Sequence, residues 1–324
     1  MKKYILALGL SLLTVLGLFT GCSPKAETAS DSDSLKIVAT IFPEYDWVRQ
    51  VLGDRAGEVE LTLLLDSGTD LHSYQPTAAD MLTIGECDLF LYNGGESDAW
   101  VERVLATAAN PDRRTLSVME VLGDSVLEEE VVEGMQEAEG HDHAEGEAHE
   151  EEADEHVWLS LRNARTACAE IARVLGELDP DHAAEYQTNA ENYMAELEAL
   201  DGEYAALAEN AARRTVLVGD RFPFRYLMDD YGLEYYAAFS GCSAETEASF
   251  ETIAFLSGKT EELALPCILT TESPQPGVAE TIRSNTASGD QTILQLDSMQ
   301  SAGTGDNYLD IMKKNLEVLR QALA

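Results

Sequence analysis

The feature that most constrains this chain is a strand–helix alternation that runs four times, gives way to one long amphipathic helix, and then runs four times again. From Leu35 the segments LKIVATI (35–41), VELTLLL (59–65), DLFLYN (88–93) and TLSV (115–118) are short, apolar and rich in strand-forming residues. Helical stretches separate them: FPEYDWVRQVL, the run after Pro76, ESDAWVERVLATAAN, and a segment from about Leu159 to Leu178. Strands alternating with helices predict parallel sheets covered on both faces. The pattern restarts with TVLVG (215–219), LEYYAAF (233–239), CILTT (267–271) and TILQL (292–296), and closes on a helix near Tyr308 to Leu323. The expected fold class is α/β, with two four-stranded parallel-sheet lobes and flanking helices.

Between the two sets, Tyr186, Ala190, Tyr193, Leu197, Leu200, Tyr204, Leu207 and Ala211 recur at alternating steps of four and three, which makes one apolar stripe on a helix. Asp179 suits its N-cap and Pro180 its first position, while Arg213 and Arg214 place positive charge at its carboxyl end. A helix over 181–212 would be about 48 Å long, enough to bridge two lobes as one rigid strut. A coiled-coil dimer is the rival reading of such a stripe. The closely flanking α/β units favour the strut and a monomer. The expected organisation is an N-terminal lobe over 35–180, the linker helix over 181–212 and a C-terminal lobe over 213–324.

Residues 1–21 read as a signal peptide: Lys2 and Lys3 precede an apolar run from Ile5 to Phe19 that falls short of the roughly 20 residues a membrane helix needs. The string LFTGC resembles a lipobox, which would place a lipid on Cys22 and anchor the mature chain to the outer face of the cell membrane. Residues 22–34 are small, polar and charged, a tether. Cys87, Cys168, Cys242 and Cys267 show no CxxC spacing, which argues against a zinc ribbon or a thioredoxin-like site. Disulfides outside the cell and buried free thiols both remain open for them. Lys and Arg total 21 against 60 Asp and Glu, a net charge of −39. Such a chain repels nucleic acid and draws cations, although acidity also serves solubility alone.

Ligands of open α/β sheets bind at the carboxyl ends of strands, and the metal-ligating residue types of this chain gather there. His72 follows the second strand in DSGTDLHSYQPTAAD, where Pro76 fixes the entry to the next helix. His156 stands in DEHVWLS, where Asp154 and Glu155 could orient its ring as carboxylates orient metal-bound imidazoles. Asp220 follows TVLVG, Glu272 follows CILTT and Asp297 follows TILQL. Just before His156, the loop 128–155 is acidic and carries His141, His143 and His149. That composition suits an auxiliary metal-binding tract without fixed geometry.

These segments together resemble the zinc- and manganese-binding solute-binding proteins of bacterial ABC importers, the ZnuA/TroA-like family (periplasmic solute-binding protein family 9), across residues 35 to 324. HSYQPT is similar to the family's His-x-Tyr-x-Pro-Ser/Thr loop, EHVWLS to its Asp-Pro-His-x-Trp-Leu segment, RFPFRYLMDDYGL to the segment with the third ligand, and LQLDSM to its Leu-Asp-Pro-Leu. The resemblance implies two lobes bridged by a long helix, and a divalent ion in the interlobe cleft held by His72, His156 and Asp297. It also implies delivery of that ion to a permease with its ATPase, and no enzymatic activity. The third family ligand, His or Glu, falls on Arg221, which cannot bind a cation. Either Asp220, one residue earlier, replaces it, or Arg221 pairs with a carboxylate such as Glu272 and water fills the place. The His-rich loop favours zinc, with manganese the alternative. A metal-dependent hydrolase and a surface adhesin are the other function classes. HEEEADEH is not HExxH, however, and the chain holds no GxSxG, P-loop or GxGxxG. Deleting 133–153 is expected to weaken capture when metal is scarce and to leave the high-affinity site intact, as measured by competition with a chelating dye; loss of all binding would place the site elsewhere.

Overall fold

The computed structural model describes residues 34–66, 68–106, 109–136, 152–243, 247–272 and 277–324. Residues 35–324 form one compact unit. Among the described residues the strands make two four-stranded parallel sheets of the same plan. The first holds β1 (Lys36–Ala39), β2 (Glu60–Leu63), β3 (Leu89–Tyr92) and β4 (Arg114–Ser117) in the order β2-β1-β3-β4. The second holds β5 (Thr215–Phe222), β6 (Glu234–Ser240), β7 (Cys267–Thr270) and β8 (Thr292–Gln295) in the order β6-β5-β7-β8. The central strands are buried along their length, as in β7, because helices cover both faces.

Local chemistry sets the helix starts. α1 (Phe42–Leu52) opens with Pro43 in its first turn, and Glu44 folds back so that its carboxylate accepts the N–H groups of Thr40 (3.0 Å) and Ile41 (3.3 Å). α2 (Ala78–Glu86) has a reciprocal cap between Thr77 and Asp80. The segment 96–110 was expected to be one helix, but it makes a 3-10 turn at Glu96–Asp98 and a short α3 (Val101–Leu105). α4 (Val118–Leu122) follows β4 directly. Ser160 caps α5 (Leu161–Leu178), its hydroxyl accepting the Asn163 N–H at 3.1 Å.

The long helix is α6 (Ala183–Asn210), about 42 Å by its rise per residue. It starts later than expected because Pro180–His182 forms a 3-10 turn. Asp179 does not cap it; its carboxylate accepts from the His182 ring and from the Tyr186 hydroxyl (2.7 Å). Tyr186, Ala190, Tyr193, Leu197, Leu200 and Tyr204 are buried as the stripe required, but the last turn buries Ala208 and leaves Leu207 and Ala211 only partly covered. A helix of 3.6 residues per turn drifts off a strict 3.5-residue repeat, and the buried face has moved on by one position there. The stripe is covered by α5 and α1 of the same chain, so no second copy is needed to bury it.

α6 ties into both lobes. Near its start the Asn189 amide donates to Val51 O of α1 at 3.1 Å. Near its end the buried Tyr204 hydroxyl donates to Met312 O at 2.6 Å, in α10 (Tyr308–Ala322). The remaining helices are α7 (Arg225–Tyr231), α8 (Phe250–Glu262) and α9 (Gly277–Ser284). One buried apolar cluster runs from α1, β1 and β3 through α5 and α6 into β5, α7 and α10. Buried hydrogen bonds cross between the lobes as well. Trp158 Nε1–H donates to Ser298 O (2.9 Å), the Tyr308 hydroxyl to Trp158 O (2.6 Å), and Tyr308 N–H to the Asp46 carboxylate (2.9 Å).

Glu44 is fully buried, and its carboxyl is raised from the ordinary 4.5 to about 8, first by burial and then by the charge of Asp98. Between those two values the folded chain keeps a proton that the unfolded chain has released, so stability falls as pH rises through this window. Glu44→Gln is expected to flatten that decline and to raise the denaturation midpoint more at about pH 8 than at about pH 5. Equal gains at both pH values would contradict a buried, protonated Glu44.

Candidate metal centre

Two histidines from distant segments meet edge to edge. His72 sits in a 3-10 turn, Leu71–Ser73, after β2, and the Asp70 carboxylate accepts its backbone N–H at 3.0 Å. His156 is fully buried and precedes the turn Val157–Leu159, whose three residues are buried in the core. Asn93, just past β3, anchors that approach by donating its amide to Glu155 O at 2.8 Å. The two Nε2 atoms stand 3.2 Å apart.

The partners of the other ring nitrogens fix the tautomers. The Ser97 hydroxyl donates to Glu155, so its oxygen is left to accept from His72 Nδ1–H at 2.9 Å, and Glu155 Oε2 lies 3.2 Å from the same nitrogen. His156 Nδ1–H donates to Asp154 Oδ1 at 3.0 Å. Gln300 Nε2 reaches His156 Nε2 at 3.4 Å, a donor facing a lone pair. With Nδ1–H on both rings, the two Nε2 atoms face each other across a gap that only a shared cation, a proton or a metal ion, makes favourable. Two nitrogens bound to one tetrahedral zinc at about 2.0–2.1 Å would stand about 3.3–3.4 Å apart, close to the observed separation. Expected as a pair on His156, the two carboxylates divide the work: Asp154 holds His156 and Glu155 holds His72. Burial pulls the Glu155 carboxyl upward, but hydrogen bonds from His72 and Ser97 outweigh it and leave the value lowered.

Among the described residues, one group of His, Cys, Asp and Glu side chains converges closely enough to share an ion. It consists of one ligand atom each from His72, His156 and Cys242, all within 4.8 Å of one another. Asp220 and Asp297 are not in it. β5 continues three residues beyond its expected end at 219, with a register shift between Val218 and Arg221. Asp220 and Arg221 are thus neighbours in a strand at an irregularity, and their side chains take different partners. The Asp220 carboxylate turns to β7, accepting from Thr270 Oγ1 (2.9 Å), Thr271 Oγ1 (2.7 Å) and Thr271 N–H (3.3 Å). Arg221 pairs across the cleft with Asp70 at 2.9 Å, not with Glu272. Glu272 instead shapes the turn after β8, accepting from Ser298 N–H (2.9 Å) and hydroxyl (2.6 Å) and from Gln300 N–H (3.0 Å). Asp297 accepts the Met299 N–H at 2.8 Å, and its carboxyl is raised to about 6 by burial and by Glu272.

Cys242, just past β6, went unassigned as a ligand because its sequence spacing carries no metal motif. Its place at a strand end was the available signal. Cys87, Cys168, Cys242 and Cys267 are all free thiols. His72 and Cys242 line a cavity of about 340 Å³ together with Glu96, Ser97, Glu129, Glu152 and Glu155, so the approach to the histidines is acidic. Cys22, His141, His143 and His149 lie outside the described residues. The flanks of their loop are packed, with Glu128 bridging to Ala153 and Gln136 to Phe239 of β6. The deletion that isolates the histidine tract is therefore 137–151 rather than 133–153.

Comparison with known proteins agrees in fold and sequence. Residues 37–322 match the family model for the periplasmic component A of the zinc-uptake complex, ZnuA. The zinc-binding lipoprotein AdcA of Streptococcus pneumoniae serotype 4 is 32% identical over 99% of this chain, which spans 61% of that relative's length. The high-affinity zinc uptake system protein ZnuA of Bacillus subtilis is 29% identical over 93% of this chain and 91% of its own. The crystal structure of the Zn(II)-bound ZnuA-like domain of S. pneumoniae AdcA superposes with a TM-score of 0.68 at 28% identity, covering 90% of this chain and 99% of that domain.

Asp154 accepts both the backbone N–H and the Nδ1–H of His156. Asp154→Ala is expected to lower zinc affinity by about 10–100-fold while the far-ultraviolet circular dichroism stays that of the parent. Undiminished affinity in titration calorimetry would show that His156 does not need this partner.

Proposed function

This chain belongs to the ZnuA family of zinc-uptake components, and from that premise we propose that it is the extracytoplasmic solute-binding protein of a bacterial ABC importer. Its cargo is a divalent transition metal, zinc ahead of manganese. It captures the ion in the interlobe cleft and passes it to a permease driven by its ATPase. A lipid on Cys22 anchors the chain to the outer face of the membrane, and it acts as a monomer and a carrier, not as an enzyme.

The observation that carries this reading is the pair of Nε2 atoms 3.2 Å apart, each ring held in place by an acceptor at Nδ1. His72 and His156 are the nitrogen ligands. Asp297, whose carboxylate accepts the Met299 N–H, is the acidic ligand assigned from the C-terminal lobe by the family resemblance. Asp220, with its carboxylate satisfied by two threonines, is assigned to hold β5 against β7. Protein groups that close around the ion suit carriage, because a catalytic centre keeps a position open for water. The acidic cavity raises the local ion concentration at the entrance, and the tract with His141, His143 and His149 adds metal-binding side chains by its composition.

His72→Ala removes one of the two nitrogens without touching the core. Zinc affinity, measured by competition with a chelating dye, is expected to fall by more than about 100-fold, since even the outer partners of a ligating histidine are worth 10–100-fold. Unchanged affinity would reject the site. Deletion of 137–151 is expected to slow capture at low zinc and to leave the equilibrium affinity of the cleft in place.

A further inference from the structure

We propose that Cys242 is a ligand of the transported ion, supplying a thiolate in place of the third protein ligand that Arg221 cannot provide. The proposal rests on the carrier reading above and adds a sulfur to its two nitrogens. Arg221 stands where the family pattern puts a ligand, but its guanidinium is committed to Asp70. Cys242 enters the vacated role from the end of the neighbouring strand, β6, and among the described His, Cys, Asp and Glu residues it alone joins the two histidines within a common 4.8 Å.

The backbone around Cys242 is built to bring it there. Gly241 lies against His156, and a Cβ at that position would fall 2.7 Å from His156 Cε1 and 2.9 Å from Phe222 O. Any larger residue would push the turn, and Cys242 with it, away from the imidazole. The Cys242 N–H donates to Glu129 Oε1 at 3.3 Å, and the Ser243 N–H closes the turn onto Ser240 O at 3.3 Å. Cys242 is half-buried and lines the acidic cavity with His72, so an ion arriving there meets the sulfur and the nitrogen together.

The chemistry balances without any redox partner. Burial and the charges of Glu129, Asp154 and Glu155 hold the thiol against ionisation without an ion; as the metal–sulfur bond forms, the S–H bond gives up its proton to solvent, with no change of oxidation state. With Zn–S near 2.3 Å and Zn–N near 2.0–2.1 Å, a tetrahedral ion sets S···N at about 3.5–3.6 Å, so binding draws in ligand atoms that already lie within 4.8 Å of one another. Thiolate is a soft ligand that suits zinc, whereas manganese prefers oxygen. Cys242 is thus the residue that sets the choice between the two ions.

Cobalt(II) loading of the full chain tests this directly. The parent is expected to show a sulfur-to-cobalt charge-transfer band in the near ultraviolet, Cys242→Ser to lose it, and Cys267→Ser to keep it. Cys242→Ser should also bind zinc at least about tenfold more weakly, since a direct ligand is worth no less than an outer partner, with manganese affinity changed far less. Cys242→Asp should recover affinity without the band, which separates lost ligation from a damaged fold. Bound cobalt without the band in the parent, or a Cys242→Ser chain with the parent's band and zinc affinity, would overturn the sulfur ligand and leave the carrier reading standing. A parent chain that binds neither cobalt nor zinc would overturn both.

Discussion

Two imidazole nitrogens held lone pair to lone pair, in a site where one ring is wholly buried, are the interaction on which the rest of this structure depends. Left to themselves the rings would rotate, or one would take a proton and donate to the other. Rotation is blocked, because Asp154 and the Ser97–Glu155 pair hold the Nδ1–H edges, and the segments carrying the rings are fixed by caps and core packing. The repulsion is held in place by the fold and relieved by a cation. The surrounding hydrogen bonds make sense as support for that arrangement: Asp70 under His72, Asn93 under Glu155, Tyr226 on Asp154 O (2.7 Å) and Glu272 under the turn that carries Gln300.

The architecture was legible in the sequence because its signals are periodic. Strand segments set between helices gave the two parallel sheets, and the alternating steps of four and three gave α6. His72 and His156 were legible because each lies beside residues that fix a loop, Pro76 in one case and Val157–Leu159 in the other. What the sequence hid has physical causes. The apolar run of β5 ends at residue 219, yet a register shift carries the strand through Phe222. Asp220 and Arg221 therefore diverge, and a neighbour in sequence could not substitute for the residue beside it. Arg221 was expected to find a carboxylate, but which one depends on the cleft, and Asp70 is 151 positions away along the chain. Cys242 carries no sequence pattern at all. Only the folded approach of the β6 end to His156, made possible by Gly241, brings its sulfur to the imidazoles.

Arg221 stands where the family pattern puts a ligand and does a structural job instead. The arginine keeps the lobes in register by gripping Asp70, which in turn holds the His72 backbone. The Asp70 carboxyl, lifted by burial, is brought back below its usual range by that guanidinium and by the His72 N–H. Arg221 of the C-terminal lobe thus helps to place the His72 turn of the N-terminal lobe, through Asp70.

The apolar cluster that passes through α6 without interruption has a consequence for how the molecule melts. Trp158, Tyr308 and Tyr204 belong to both lobes at once, by packing and by hydrogen bonds. Loss of this shared core in one half strips the other of its partners, so the two lobes are coupled in unfolding, while the smaller clusters under α8–α9 and under α2–α3 belong to one lobe each and can open locally.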